Sequence, residues 1–436
     1  MEKEFKNLIK TRFPYLCNTR LLLAVSGGVD SMVLACLCAH AHLDFSIAHC
    51  NFVLRGEESD GDEAFVRNFA EQLEVPFFTQ AFQTEKYASE KGISTQMAAR
   101  DLRYEWFEEL RKTNRHEYIL TAHHANDNLE TFLINLIRGT GPEGLSGISE
   151  KNHKVIRPLL SFSRKEIEAY AAENKLEWRE DSSNASDKYM RNKIRHQLVP
   201  VMMELNPQLL QSFAKTQDHL RENMDLVEDY ISLLYPKLVQ KDLYGYQIDL
   251  DFLKKIPSKN QILYQLLKSF RFTEWDDVYN LVDAQSGKMV FSPTHRLIRD
   301  RETLLLTERR VKTGRKHYVF EENEKFLMIP GGILRVKPVS EIGETAANKI
   351  YVAREKLNFP LVIRRWKKGD YFHPFGMKGK KKLKDYFRDE KFSIPEKEDT
   401  WILCSGEEIV WIVNHRADDR FKVEPETRGI LQVSFG

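Results

Sequence analysis

The sequence is poor in cysteine, and its five cysteines are scattered along 436 residues. None forms a Cys-x-x-Cys pair, which disfavours a disulfide scaffold, a zinc ribbon and an iron–sulfur cluster. Long apolar runs are also missing, since none approaches the roughly 18 residues that a membrane helix needs. Residues 1–14 carry charges and lack an apolar core, so a secretory signal is not expected. We therefore expect a reduced, soluble, cytoplasmic protein without membrane contact.

An excess of charge of one sign is absent as well. Lys and Arg number 66 and Asp and Glu 64, which gives a net charge of +2. This balance excludes a uniformly basic coat and leaves local basic patches open. Hydrophobic residues make up 42% and aromatic residues 11%, enough for several buried cores rather than disorder. At roughly 150 residues per domain, the length predicts two or three domains.

Apolar runs alternate with helical patterns through the first third of the chain. This alternation predicts repeated βα units, hence a parallel sheet with helices on both faces and an α/β fold class. Such sheets bind ligands at the carboxyl ends of their strands. The predicted strands are 21–25, 45–51, 76–82 and 118–122, and the predicted helices are 30–40, 59–73, 95–112 and 126–138.

The sharpest motif, Ser26-Gly27-Gly28-Val29-Asp30-Ser31, lies between the first predicted strand and the first helix of the array. Its glycines allow a tight turn that brings backbone N–H groups to an anion, and the helix start adds its positive dipole end. The two serines offer hydroxyl groups, and Asp30 could hold Mg²⁺ beside phosphates. No Lys-Ser/Thr pair follows the glycines, so this is not a Walker A loop. The alternative is a serine-capped connection, but its place in a βα array favours a nucleotide site.

Further polar motifs occur at intervals through residues 20–200. Taken in order with the hexapeptide, they resemble the tRNA(Ile)-lysidine synthetase family of the PP-loop ATP pyrophosphatase superfamily. They are His49-Cys50-Asn51-Phe52, Leu54-Arg55-Gly56-Glu57-Glu58-Ser59-Asp60, Gln96-Met97-Ala98-Ala99-Arg100, Thr121-Ala122-His123-His124-Ala125-Asn126-Asp127-Asn128-Leu129-Glu130-Thr131, Asp181-Ser182-Ser183-Asn184, and Arg191-Asn192-Lys193-Ile194-Arg195.

The resemblance implies an N-terminal domain like the adenine nucleotide alpha hydrolases, with ATP and Mg²⁺ as cofactors. The implied enzyme is an ATP-dependent ligase that forms a carbon–nitrogen bond. It would adenylate the C2 oxygen of the wobble cytidine in an isoleucine tRNA with a CAU anticodon. The ε-amine of free lysine would then attack C2, producing lysidine and changing codon reading from AUG to AUA, with release of AMP and pyrophosphate. ATP would be bound by Ser26, Gly27, Gly28, Val29, Asp30 and Ser31, with Asp30 on the metal.

Asp127 and Glu130 are three residues apart at a predicted helix start, so both can face one side. Two carboxylates there could grip an ammonium group, hold a metal, or simply complement the helix dipole. The resemblance implies that they bind the free lysine, and that Asp30, Arg100 and Asp127 serve catalysis. Arg100 would stabilise charge on the transferred nucleotidyl group, whereas an exposed, ion-paired helical arginine is the alternative.

The adjacent histidines His123 and His124 are not expected to bind zinc, because they point in different directions and no third ligand has zinc spacing. A contact to phosphate or base and a packed or surface histidine remain equal alternatives. In the loop after the second strand, Arg55 with nearby acidic residues could close over substrate or be merely solvated.

Basic residues suited to RNA phosphates occur in two places. Arg191, Asn192 and Arg195 form the first set, for which a charged helix face is the alternative. In the second, residues 361–391 hold eleven Lys/Arg and four Asp/Glu, a balance of +7, with aromatic residues between them. This second region also resembles the C-terminal domain of the family, with a solvated lysine-rich hairpin as the alternative. The predicted RNA contacts in it are Arg364, Arg365, Lys380, Lys381 and Lys382.

The predicted organisation is a catalytic domain over 1–205, a linker helix over 206–235 starting at Asn206-Pro207, a small α+β domain over 236–320 and a β-rich, basic tRNA-binding domain over 326–436. A two-fold dimer is expected. Two alternative functions remain: another PP-loop tRNA-modifying enzyme such as a thiolase, which the lack of paired cysteines disfavours, and a non-catalytic RNA-binding protein.

Overall fold

The computed structural model describes residues 1–54, 56–179, 190–309 and 317–436 of the chain. Two compact units make up these residues, Met1–Glu228 and Asp229–Gly436. The finer domain limits given above stay predictions. Arg55 and the motif at 181–184 lie outside the described residues. Within the described ranges, none of the helices is both long and apolar enough to cross a membrane.

The first unit contains one six-stranded sheet. Its strands are β1 (Leu21–Ala24), β2 (Phe45–Asn51), β3 (Phe77–Ala81), β4 (Tyr118–Leu120), β5 (Lys151–Asn152) and β6 (Val155–Ile156). The strand order is β3-β2-β1-β4-β6-β5, and every pair is parallel except β5 with β6. Because β1 is central, Leu21, Leu22 and Leu23 are fully buried, as expected for a strand covered on both faces.

Helices connect and cover these strands. They are α1 (Glu2–Arg12), α2 (Val29–His40), α3 (Glu57–Gln72), α4 (Thr84–Lys91), α5 (Thr95–Thr113), α6 (Ala125–Ile137), α7 (Pro142–Leu145), α8 (Arg164–Glu173), α9 (Met190–Lys193), α10 (Val199–Leu205) and α11 (Leu209–Leu238), which begins in the first unit and ends in the second. A single π-turn, Ile194–Leu198, separates α9 from α10. The predicted α/β array is confirmed, with element ends shifted by at most two residues.

The linker helix starts slightly later than predicted. Asn206 follows the end of α10, and α11 begins at Leu209 rather than at the proline. The Asn206 side chain still acts at this start, because its Oδ1 accepts a hydrogen bond from the backbone N–H of Gln208 at 2.9 Å.

The second unit is rich in β-strands. Its strands are β7 (Val239–Lys241), β8 (Tyr246–Asp249), β9 (Met289–Phe291), β10 (His295–Asp300), β11 (Thr303–Glu308), β12 (His317–Phe320), β13 (Phe326–Ile329), β14 (Gly332–Val339), β15 (Lys349–Ala353), β16 (Leu361–Arg365), β17 (Tyr371–Phe372), β18 (Lys381–Lys382), β19 (Trp401–Ser405), β20 (Glu408–Ile412), β21 (Arg416–Ala417) and β22 (Ile430–Phe435). Its shorter helices are α12 (Leu250–Leu253), α13 (Lys259–Leu267), α14 (Trp275–Leu281), α15 (Leu383–Asp389) and α16 (Ile394–Asp399).

The described part of this unit, residues 229–309 and 317–436, contains four sheets. Strands β7-β8-β11-β10-β9 form an antiparallel sheet that packs with α12, α13 and α14 around one core. A five-stranded sheet, β12-β16-β19-β20-β21, and a four-stranded sheet, β13-β14-β22-β15, bury a second core that includes Trp401 and Trp411. The hairpin β17-β18 and helix α15 enclose a third cluster around Phe387. The sequence prediction of an α+β module followed by a β-rich module is confirmed.

Candidate active site

The Ser26–Ser31 loop joins the end of β1 to the start of α2, as predicted. Its conformation is fixed by its own serines: the backbone N–H of Ser26 donates to Ser31 Oγ at 3.1 Å, and Ser31 Oγ donates to the Gly28 carbonyl at 2.9 Å. Gly27 adopts a φ of +91°, a backbone conformation that side chains other than glycine rarely adopt. The result is a compact turn at the amino end of a 12-residue helix.

Neighbouring elements hold this loop from both sides. Buried His49 on β2 places Nδ1 2.9 Å from the carbonyl of Val25, and burial lowers the pKa of its imidazole, so the neutral ring donates this bond. On the other side, the backbone N–H of Arg179 donates to the Gly27 carbonyl at 3.0 Å. The Arg179 guanidinium reaches Asp62 on α3 at 2.5 Å. The loop is therefore set by long-range contacts as well as by its own residues.

Asp30 lies in the first turn of α2 and has two different carboxylate oxygens. Oδ2 accepts a 2.5 Å hydrogen bond from Arg164 at the start of α8. Oδ1 is buried, has no hydrogen-bond partner within the described part of the chain, and lies 3.7 Å from His124 Nε2. Burial raises the pKa of Asp30, and the charges of His124 and Arg164 oppose that shift.

His124 caps helix α6 and connects the loop to the predicted acid pair. Its Nδ1 accepts a hydrogen bond from the Asp127 backbone N–H at 3.4 Å, while Asp127 Oδ2 accepts one from the His124 backbone N–H at 3.2 Å. This reciprocal cap points Nε2 toward both carboxylates, at 3.7 Å from Asp30 and 3.4 Å from Asp127. Burial opposes ionisation of Asp127, but the neighbouring histidines hold the pKa of its carboxyl below the ordinary value.

The structure brings Asp127 and Glu130 together. It also places beside them Arg195, which the sequence predicts as an RNA contact. Arg195, on the π-turn, donates from Nε to Glu130 Oε1 at 2.6 Å and from Nη2 to Glu130 Oε2 at 3.0 Å. The same Nη2 donates to Asp127 Oδ1 at 3.2 Å. Arg191 lies 3.5 Å from Glu130 and donates to Thr131 Oγ1 at 2.8 Å. Glu130 is only 2% exposed, so these cations balance a buried charge.

Arg100 is less closely placed than the other predicted catalytic residues. It is exposed on α5, and its guanidinium lies over the ring of Tyr104 at 5.1 Å. The charge of Arg100 nevertheless affects His123. The pKa of His123 is lowered to about 4, mainly by burial, and the positive charges of Arg157, Arg191 and Arg100 contribute to this decrease. His123 is thus neutral at pH 7, with Nδ1 3.0 Å from Thr121 Oγ1.

Some of the predicted RNA contacts in the second unit interact with other side chains of the protein, and the others are exposed. Arg364 makes a bidentate pair with buried Asp370, at 2.8 and 2.9 Å. Arg365 lies over the ring of Trp401, and Lys381 pairs with Asp389 at 2.8 Å. Lys380 and Lys382 are exposed. An RNA role for these residues, and for Asn192 in the first unit, stays a prediction.

Arg164 is a site residue that the sequence analysis missed. Ser163 and Glu166 form a capping box at the start of α8, and this local pattern predicts the start of the helix. The contact of Arg164 with Asp30, 134 residues away, has no local signal.

A second missed feature is the buried amide pair of Asn128 and Gln217. Asn128 lies between the two acids on α6, and its Nδ2 donates to Gln217 Oε1 on α11 at 2.6 Å. Gln217 Nε2 donates to the Ser146 carbonyl at 3.1 Å, and Asn128 Oδ1 accepts from the Ile148 N–H at 2.7 Å. Both side chains are at least 94% buried, so α11 is hydrogen-bonded to the helix that carries the acid pair.

The residues present suit a magnesium ion bound largely by phosphate oxygens. Mg²⁺ is commonly held by one or two carboxylates together with substrate phosphates. Asp30 supplies a buried carboxylate oxygen that lacks a hydrogen-bond partner among the described side chains. No group of three or more His, Cys, Asp or Glu side chains in the described ranges could hold a metal by itself.

Three family models match separate parts of the chain. A family model described as the PP-loop domain matches residues 1–202. Two more, described as the TilS substrate binding domain and the TilS substrate C-terminal domain, match residues 241–309 and 361–434. The fold class predicted from the sequence, a PP-loop domain followed by smaller modules, is confirmed.

Relatives with curated names match over about 95% of both chains. A protein of Parabacteroides distasonis named tRNA(Ile)-lysidine synthase is 42% identical over 420 residues, which cover 95% of this chain and 95% of that protein. One of the same name from Bacteroides thetaiotaomicron is 38% identical, covering 96% and 95%. Among solved structures, the U34-tRNA thiolase NcsA from Methanococcus maripaludis aligns at 17% identity with a TM-score of 0.42, over 50% of this chain and 78% of that one.

Proposed function

The chain belongs to the tRNA(Ile)-lysidine synthase family, and we propose that it joins free lysine to C2 of the wobble cytidine in an isoleucine tRNA with a CAU anticodon. It is an ATP-dependent enzyme with a PP-loop domain. ATP adenylates the cytidine oxygen with release of pyrophosphate, and the lysine amine then displaces AMP. Since the substrate is tRNA, we place the reaction in the cytoplasm.

The observation that carries this proposal is the position of His124, which caps α6 and lies between Asp30 of the nucleotide loop and Asp127 of the acid pair. His124 Nε2 lies within 3.7 Å of Asp30 and 3.4 Å of Asp127. A phosphate group bound at the loop and an ammonium group bound at the acids would thus be neighbours. Holding two reactants side by side is a large part of catalysis for a reaction of this kind.

For ATP, the loop from Ser26 to Ser31 and the first turn of α2 supply backbone N–H groups and a positive helix end. Mg²⁺ held by Asp30 would offset the negative charge of the phosphates. Arg164, fixed on Asp30, and Arg100 add positive charge for the nucleotidyl group, which develops charge as pyrophosphate leaves.

For lysine, Asp127 and Glu130 supply two carboxylates that suit an ammonium group. Arg195 and Arg191 now pair with these acids, so a lysine ammonium must share them or displace a guanidinium. In the second unit, the exposed lysines between residues 378 and 384 suit the tRNA backbone. We also propose a two-fold dimer, to be tested by sedimentation.

The test is AMP formation from ATP with purified full-length protein. AMP should form together with lysine incorporation only when lysine and the CAU isoleucine tRNA are both present. A methionine tRNA with the same anticodon is the matched control. Equal AMP formation without tRNA, or no lysine incorporation under any condition, would contradict the proposal.

A thiolase is the competing enzyme and is not favoured. Cys36 and Cys38 are buried, and burial raises the pKa of Cys50 to about 12, so these thiols are poorly suited to sulfur transfer. AMP release that depends on a sulfur donor would favour the thiolase instead. Bound but unmodified tRNA would favour a non-catalytic RNA-binding protein.

A further inference from the structure

One surface of the second unit exposes large apolar side chains among lysines. Residues 373–380, here called the Phe375 loop, connect β17 to β18. Phe375 is 50% exposed and Met377 is 52% exposed, and Tyr371 at the start of the hairpin is 47% exposed. Other aromatic residues nearby, including Phe372 and Phe387, are fully buried. A cluster of solvent-exposed apolar side chains commonly marks a binding surface.

The Phe375 loop is held firmly despite its exposure. The Phe375 N–H donates to the Ala417 carbonyl at 3.0 Å, and the Phe375 carbonyl accepts from Arg416 Nη2 at 2.7 Å. The Gly376 N–H donates to Asp419 Oδ1 at 3.1 Å, a bond that lowers the pKa of this carboxyl and keeps it charged. Phe375 is therefore presented by a fixed backbone, which reduces the entropy lost on binding a partner.

Three lysines in and beside the loop have no salt-bridge partner among the described residues. Lys378, Lys382 and Lys384 are exposed, and none has an ion-pair partner in the part of the chain that the structure describes. The hairpin register pairs Tyr371 with Lys382, so these side chains share one face. Lys380 Nζ lies 5.3 Å from the centre of the Tyr371 ring, on the same hairpin.

We propose that this surface stacks an unpaired nucleotide of the RNA substrate on Phe375 and binds the flanking phosphates through the unpaired lysines. The inference rests on the proposed function, which supplies an RNA partner. Every nucleobase has an apolar face that stacks on aromatic side chains, and its phosphates attract lysine. An anionic membrane also attracts lysine beside apolar groups, but the chain belongs to a family named for a tRNA.

The experiment measures binding of a tRNA transcript to the full-length protein at several salt concentrations. Phe375→Ala should weaken binding about tenfold, because base stacking is lost, without changing the salt dependence. Lys382→Ala should lower the slope of log K against log salt by about 1, because one phosphate contact is lost. Phe375→Trp should bind the tRNA about as tightly as the unaltered protein, because tryptophan also stacks on a base. Phe326→Ala is the matched control, since Phe326 is 59% exposed on β13 outside this surface.

Four results would overturn the proposal. The first is unchanged tRNA binding by Phe375→Ala, and the second is equal weakening by Phe326→Ala. The third is equal weakening of binding to a fully paired RNA duplex, which offers no unpaired base. The fourth is a loss confined to phosphatidylserine vesicles or to self-association, which would assign the surface to a membrane or to a second copy of the chain.

The failure of this inference can be told apart from failure of the proposed function. The control variant Phe326→Ala should keep lysine-dependent AMP formation unchanged, whereas Phe375→Ala should raise KM for tRNA about tenfold. If the unaltered protein forms no lysine-dependent AMP, the proposed function fails whatever the binding data show.

Discussion

At the scale of single residues, Asp30 has the most unusual surroundings in the site. One of its oxygens is tied to Arg164, and the other is buried without a hydrogen-bond partner among the described residues. Leaving a buried acceptor unsatisfied costs on the order of 1–3 kcal/mol. Such a cost is tolerable where a ligand supplies the missing partner, which favours a binding role for Asp30 over a structural one.

Replacing Asp30 by Asn tests this role with little change of shape. We expect Asp30→Asn to lower kcat for AMP formation about 100-fold or more, because the carboxylate charge that would hold Mg²⁺ is removed. Glu85→Gln removes an exposed charge from α4 and should leave kcat unchanged. Turnover of Asp30→Asn within a few-fold of the unaltered protein, at any Mg²⁺ concentration, would contradict the assignment.

The depressed pKa of His123 predicts a dependence of stability on pH. In the unfolded chain His123 takes up a proton near its ordinary pKa of 6.5, whereas the folded chain takes it up only near 4. The free energy of unfolding should therefore fall as the pH is lowered from about 6.5 toward 4, by roughly 3 kcal/mol from this group. His123→Gln should remove that part of the loss.

The measurement is urea unfolding at a series of pH values. His219→Gln is the control, because His219 is exposed on α11. Identical pH profiles for His123→Gln and the unaltered protein would show that His123 keeps an ordinary pKa.

At the scale of elements, the local patterns were predictable and the contacts between distant segments were not. Buried apolar runs placed β1, β2 and β4, and the glycine-serine motif placed the turn before α2, because each depends on neighbours in sequence. The pairing of Arg195 with Glu130 joins residues 65 apart and was not predicted; the RNA contact predicted for Arg195 stays a prediction. A basic residue in a helical pattern looks the same whether its partner is RNA or a buried acid.

The contact between α6 and α11 predicts an effect on lysine use. Gln217→Leu removes the partner of Asn128 and leaves buried amide groups unsatisfied, which should cost about 1–3 kcal/mol of stability. Because Asn128 lies between Asp127 and Glu130, we also expect KM for lysine to rise more than kcat falls. Gln211→Leu is the control on the exposed side of α11. Loss of stability with an unchanged KM would limit Gln217 to a structural role.

At the scale of the whole molecule, the two compact units have separate cores. The nucleotide motif and the main basic cluster lie far apart in the sequence, which is enough to predict that they belong to different units. The sequence did not predict which basic residues are available to bind RNA. Arg364 forms a salt bridge with Asp370, whereas Lys382 is exposed. That distinction depends on the register of short strands, which composition does not determine.

Separate cores predict two unfolding transitions in calorimetry. A ligand that binds only the folded first unit stabilises it by about 2.7 kcal/mol at 100 times its dissociation constant. ATP with Mg²⁺ should therefore raise the midpoint of one transition and leave the other in place. Asp30→Asn should reduce the shift. Equal movement of both transitions would mean that the units unfold together.

The guanidinium seated between Asp127 and Glu130 has one further consequence. An amine arriving from solution would enter by ion exchange, trading places with a counterion that the chain itself provides. An affinity measured there would then report the difference between two cations and not the strength of either. A poor dissociation constant for free lysine would in that case be compatible with strong contacts.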